Sequence, residues 1–170
     1  MRLVATLDTG GGGAYSHADD DAEGHPMNIA SLLATKSGPP ITIRPEQSVR
    51  EAIALLSRHT IGALVAVNAA NTPVGIISER DIVREAARDE QVFARSVGDI
   101  MTRDVITGLP QDDLLSVANT MTEKRIRHLP VVDKGKLVGI VSLGDVVKAQ
   151  RDKYLGEVET LETQILADKQ

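Results

Sequence analysis

The sequence predicts an α/β (α+β) fold in which one β-α-β-β-α unit occurs twice. Three observations carry this reading. An apolar strand running into a helix start occurs as Gly75-Ile76-Ile77-Ser78-Glu79-Arg80-Asp81 and again, 64 residues on, as Gly139-Ile140-Val141-Ser142-Leu143-Gly144-Asp145. A helical face at Val49, Ala52, Ile53 and Leu56 recurs 65 residues later at Leu114, Val117, Ala118 and Met121. The apolar run Ile61 to Val67 recurs at the same offset as Ile126 to Val132. Agreement of face, strand and junction at one period marks an internal repeat, and a chain of 170 residues has room for two small packed repeats.

Residues 1–26 have no period of 2 or 3.6. Gly10 to Gly13 and the acidic stretch Asp19, Asp20, Asp21, Glu23 leave little to bury, so a disordered tail is expected. His17, the three aspartates and His25 have metal-ligating chemistry, but a solvated acidic tail explains them as well, and no metal is expected. Met27 to Ala34 reads as a short helix, broken by Ser37-Gly38-Pro39-Pro40. Ile41 to Ile43 is a short strand stopped by Pro45, and Ser48 with Glu51 forms a capping box that opens a helix. Ile61 to Val67 is apolar throughout, as a strand buried on both faces requires. Asn68 to Pro73 is turn chemistry, Val74 to Ile77 the next strand, and Ser78 opens a helix carrying Ile82, Val83, Ala86 and Ala87. Arg88 to Arg95 is a polar connection. Ser96 to Thr102 leads into the second copy, whose first strand is Val105 to Thr107 and whose Asp133 to Lys136 turn is one residue shorter. After Asp145 the chain stays helical almost to its end. Val147, Tyr154 and Leu161 interleave with Arg151, Val158 and Ile165 in the spacing of a coiled-coil seam. That stripe needs a partner, either the body of the chain or a second chain.

Composition narrows the function. A net charge of −5, one Phe, two Tyr and no Trp disfavour a nucleic-acid partner. The absence of cysteine removes disulfides and thiol chemistry and suits a reducing cytoplasm. No apolar run is long enough to span a membrane, and Met1 to Leu7 is too short for a secretory signal. Catalytic motifs are missing: Gly10 to Gly13 lacks the following Lys-Ser/Thr of a phosphate loop, and no base–nucleophile set stands out. A non-enzyme is expected.

The chemistry therefore rests on the two junctions. A Ser ending a strand with an Asp three residues on is first a helix cap. The same geometry offers amide donors to an anion and a carboxylate to a ribose diol. The neighbouring strand starts differ. Ile61-Gly62 presents open backbone, whereas Ile126-Arg127-His128 presents a guanidinium suited to phosphate and an imidazole. Arg80 and Lys148, near the helix starts, are further phosphate candidates.

With Gly75 to Asp81, Gly139 to Asp145, Arg127-His128-Leu129-Pro130-Val131-Val132 and Asp99-Ile100-Met101-Thr102, the chain resembles a tandem pair of CBS domains, the module named after cystathionine β-synthase, over roughly residues 28–150. The resemblance implies a tail over 1–26, one repeat over 27–90, a second over 96–150 and a helical extension over 151–170. It also implies a pseudo-two-fold axis, two clefts between the repeats, and a homodimer in which the final helix takes part. Many such pairs bind adenine nucleotides (AMP, ADP, ATP), some bind NAD or S-adenosylmethionine, and some bind nothing known, so a ligand-free structural dimerisation module is the alternative. By the family pattern, Ser142 and Asp145 hold the ribose end of one ligand, Arg127 and His128 face its phosphate, and Ile61, Gly62 and the segment before Ile41 face its base. The mirror cleft uses Ser78, Arg80 and Asp81, with the base near Ile126, Met101 and Thr102. Gly62-Ala63 stands where the second repeat has Arg127-His128, so weaker phosphate binding is expected there. The expected role is a cytoplasmic regulatory module signalling to an unknown protein target.

Overall fold

The computed structural model describes residues 27–167, so the expected N-terminal tail, with its histidines and aspartates, lies outside the described residues. The elements run α1 (Ile29–Ala34), β1 (Thr42–Ile43), α2 (Val49–His59), β2 (Ala63–Val67), β3 (Pro73–Ser78), α3 (Glu79–Ala86), a 3-10 turn (Glu90–Ala94), α4 (Val97–Ile100), α5 (Leu114–Glu123), β4 (His128–Asp133), β5 (Lys136–Ser142) and α6 (Leu143–Ala167). In the first unit β1 pairs parallel with β2, and β2 antiparallel with β3. In the second, β4 and β5 form the antiparallel pair.

Three expectations change. The strand at Val105 to Thr107 shrinks to one parallel bridge, Gly108 to Val131, the counterpart of Ile43 beside Ala66. Pro130 stands where the first unit has Val65 and brings no amide to that ladder. The apolar face expected on α3 narrows: Ile82 is buried, but Val83 is 68% exposed, because the next residue points about 100° away around the helix. The polar connection after α3 contains the 3-10 turn, which buries Val92 completely.

Each unit has its own core, and each borrows its lead-in helix from the other half of the sequence. Ile43, Val49, Leu56, Leu64 and Ile77 pack with Val97 and Met101, which come from α4 and its end. Leu114, Val117, Met121, Leu129 and Val141 pack with Ile29 and Leu32 of α1. The backbone repeats the exchange. Ile29 N–H donates to Asp112 O at 3.0 Å and Ala30 N–H to Pro110 O at 2.8 Å. Val97 N–H donates to Gln47 O and Gly98 N–H to Pro45 O, both at 2.8 Å. The acceptors of the two sets are 65 residues apart, so the contact obeys the repeat. β2, buried throughout as the unbroken apolar run requires, meets β5 through Val65, Val67 and Leu137.

Beyond Gln150 the described body no longer covers α6. Val147, Tyr154, Leu155, Val158, Leu161, Ile165 and Leu166 are all more than half exposed. The stripe therefore does not pack on the described residues of its own chain.

Candidate functional site

Both junctions fold as the sequence predicts. Ser142 N–H and Oγ–H donate to Asp145 Oδ2 at 2.7 and 2.6 Å, while Asp145 N–H donates to Ser142 Oγ at 3.1 Å. Ser78 and Asp81 repeat the box, with N–H and Oγ–H donating to Oδ2 at 2.9 and 2.6 Å. The first amide of each helix is also taken: Glu79 N–H donates to Gly62 O and Leu143 N–H to Arg127 O, across to the neighbouring strand start. Each carboxylate is therefore fixed through one oxygen, with the other turned away from the cap.

The glycine that opens each junction has a steric reason. A Cβ on Gly139 would lie 2.6 Å from Leu33 Cδ2, and one on Gly75 would lie 2.8 Å from Met101 Cγ. The segment from the opposite lead-in thus lies directly on the strand. At β3 it pairs through backbone, Ile76 and Thr102 exchanging two 2.9 Å bonds. At β5 a side chain takes that place: Lys36 Nζ donates to Ile140 O at 3.1 Å and to Asp145 Oδ2 at 2.6 Å.

These segments wall two related clefts. The first, of about 430 Å³, is lined by Lys36 to Ile41, Thr60 to Ala63, Gly139, Ser142, Asp145 and His128. It therefore brings together Ser142, Asp145, His128, Ile61 and Gly62. The mirror cleft, of about 480 Å³, brings together Ser78, Arg80, Asp81, Thr102 and Ile126, and adds Glu79, Arg84, Arg125 and Arg127. Gly62 and His128 belong to both, and a Cβ on Gly62 would sit 3.3 Å from the His128 ring. Met101 is not among the residues lining the mirror cleft; it is 7% exposed, packs in the first core and lies against Gly75. Arg127 lines the mirror cleft and an open groove at the start of α6, where Lys148 also lies, rather than the wall of the first cleft.

The electrostatics of the clefts differ. Burial pushes the Asp145 carboxyl up, but hydrogen bonds from Lys36 and Ser142 together outweigh it and hold the group below the ordinary carboxylate range. Burial is also the largest influence on His128 and pushes it down, against the pull of Asp145 and Glu79, so the ring is neutral near pH 7. Among the described residues Asp81 has no such cation, and none of Arg80, Arg84, Arg125 and Arg127 forms an ion pair.

Sequence reasoning missed Lys36, Arg84 and Arg125. Arg84 was reachable, since it follows Arg80 by one helical turn. Arg125 follows α5 as Thr60 follows α2, and both take left-handed backbone, φ 55° and 52°. Lys36 carried no signal, because its partner Asp145 is 109 residues away. No group of three or more metal-ligating side chains occurs among the described residues, and no helix among them is long and apolar enough to cross a membrane.

Two units related by a repeat, with exchanged lead-ins and paired clefts, define a tandem two-repeat module, and comparison with known proteins places it. The CBS domain family model matches residues 30–88 and 97–152, and the chain belongs to that family. It is 35% identical over 125 residues to the CBS domain-containing protein CBSX3, mitochondrial, of Arabidopsis thaliana, covering 71% of this chain and 61% of that relative's length. Among solved structures, the CBS domain pair of protein MJ0100 in complex with 5-methylthioadenosine and S-adenosyl-L-methionine superposes with a TM-score of 0.67 at 31% identity, covering 76% of this chain and 99% of that one. The CBS domain protein PAE2072 of Pyrobaculum aerophilum complexed with AMP gives 0.63 at 30% identity, covering 69% and 88%.

Proposed function

We propose that this chain is a non-catalytic regulatory module that binds an adenine nucleotide of the AMP, ADP or ATP type in the clefts between its repeats. The observation that carries the reading is the pair of capping carboxylates. Asp81 and Asp145 are each held by a serine through Oδ2 at the wall of a cleft, which leaves Oδ1 for a ribose diol. Ser142, His128, Ile61 and Gly62 complete the first site. Ser78, Arg80, Ile126 and Thr102 complete the second, with Arg127 on its wall. Two similar structures hold adenosine-derived ligands, which supports that class. A ligand that fits one relative placement of the repeats better shifts the population toward it, which is how a module without chemistry signals. The exposed stripe of α6 supports a homodimer as the second output.

A second reading has its own support. Among the described residues the wall of the first cleft carries no unpaired cation, which suits S-adenosylmethionine or another ligand without phosphate.

A thermal-shift panel tests both on the wild type, Asp81→Ala and Asp145→Ala, with AMP, ADP, ATP, NAD, NADH and S-adenosylmethionine. A ligand at about 100 times its Kd adds about 2.7 kcal/mol. Loss of that shift in an aspartate variant supports the site. Equal shifts in all three proteins would reject it.

A further inference from the structure

The two clefts share a carboxylate and a cap but not a charge. The mirror cleft is lined by Arg80, Arg84, Arg125 and Arg127, four guanidinium groups against the carboxylates of Glu79 and Asp81. Among the described residues these four make no ion pair, so all are available to a ligand. They come from two parts of the chain: Arg80 and Arg84 stand one turn apart on α3, and Arg125 and Arg127 lie between α5 and β4. In the first cleft the single lysine is already closed on the single aspartate at 2.6 Å. Its third polar wall is the imidazole of His128, neutral near pH 7.

We infer that the clefts divide the ligands, the one bearing Asp81 being the site for a nucleoside di- or triphosphate and the one bearing Asp145 taking the less charged adenosine compound. The inference rests on the adenosine-binding reading above and adds the phosphate requirement. Guanidinium groups from two segments lining one cleft can chelate consecutive phosphates bidentately, which one point cation cannot do. Gly62-Ala63, from which weak phosphate binding in this cleft is expected, brings no cation to the strand start. Here the cations arrive from α3 and from the loop before β4 instead.

Isothermal titration with ATP, adenosine and inorganic tripolyphosphate, at low and high ionic strength, tests this on the wild type, Asp145→Ala and Arg84→Gln/Arg125→Gln. Both arginines are exposed, so the double variant should fold, and a matching urea midpoint confirms that it does. At about tenfold per lost charge-assisted contact, the double variant binds ATP about 100-fold more weakly. Its adenosine affinity changes by less than about threefold on the same reasoning. Asp145→Ala keeps the tight ATP event, and added salt weakens ATP far more than adenosine. An unchanged ATP affinity in the double variant overturns the inference, as does a tight ATP event lost only in Asp145→Ala. Tripolyphosphate binding as tightly as ATP overturns the nucleotide class. If neither adenosine nor ATP binds the wild type, the proposed function itself fails, a result distinct from adenosine binding without preference for phosphate.

Discussion

Asp145 and Lys36 give the sharpest test of the first cleft. Their contact is 2.6 Å, joins positions 109 apart in the chain, and leaves the side chains 29% and 33% exposed. Fully exposed pairs contribute a few tenths of a kcal/mol, whereas removing one partner of a buried pair costs several. A pair about one third exposed, whose ammonium also donates to Ile140 O, should contribute about 1 kcal/mol after screening. A double-mutant cycle of Lys36→Met and Asp145→Asn isolates that coupling by urea denaturation; Asn retains an acceptor for the cap but not the charge. The single variants should each lose about 3 °C in Tm for a body of this size. Acid pH supplies a second arm. The folded carboxyl titrates below its ordinary value near 3.8, so its stabilisation is complete above that value and is lost as pH falls through the lowered one. The acid loss should shrink in Lys36→Met. A coupling energy below about 0.3 kcal/mol, with an unchanged acid limb, would refute the contact as a stabilising one.

His128→Gln should flatten a second pH dependence. Burial lowers the folded imidazole below 6.5, so the unfolded chain takes up the proton first. Stability is complete above about pH 6.5 and falls as the pH drops through the folded value, which Tm measured between about pH 8 and pH 5 would show. Thr60 is β-branched at φ 52°, so Thr60→Asn should stabilise by about 0.5–1 kcal/mol in urea unfolding, and a loss would argue against the left-handed backbone there. If the proposed homodimer forms through α6, Leu161→Glu should shift sedimentation toward monomer while changing monomer stability by less than about 0.5 kcal/mol, since the residue is 57% exposed; an unaltered distribution would reject that role for α6.

What the sequence made legible was whatever repeats locally. The capping boxes at Ser48, Ser78 and Ser142, the fully buried run at β2 and the helical faces of α2 and α5 each follow from residues within a turn or two of one another. The apolar seam of α6 was readable too, and its members are exposed among the described residues. Less legible were features set by the second copy. Met101, expected near a base, fills the space above Gly75, because glycine there lets the opposite lead-in descend onto the strand. Arg127, placed in the first cleft with His128 by the family pattern, lines the mirror cleft, whereas His128 lines both. Lys36 takes the role at β5 that the backbone of Thr102 takes at β3, a substitution of side chain for main chain that no spacing rule announces.

The exchanged lead-ins have a consequence for how such a chain can arise and break. Met27 to Leu32 completes the core of the later half, and Val97 to Met101 that of the earlier half. Neither half, cut from its sister, holds all the pieces of one core. Two identical single-repeat chains could supply them to each other by trading arms, so the ancestral state that this architecture implies is an intertwined dimer, later joined by gene duplication and a connecting loop. In the joined chain the first core cannot close until residue 101 has left the ribosome, and the second must reach back to residue 29. The halves are thereby committed to fold, and to fail, as one.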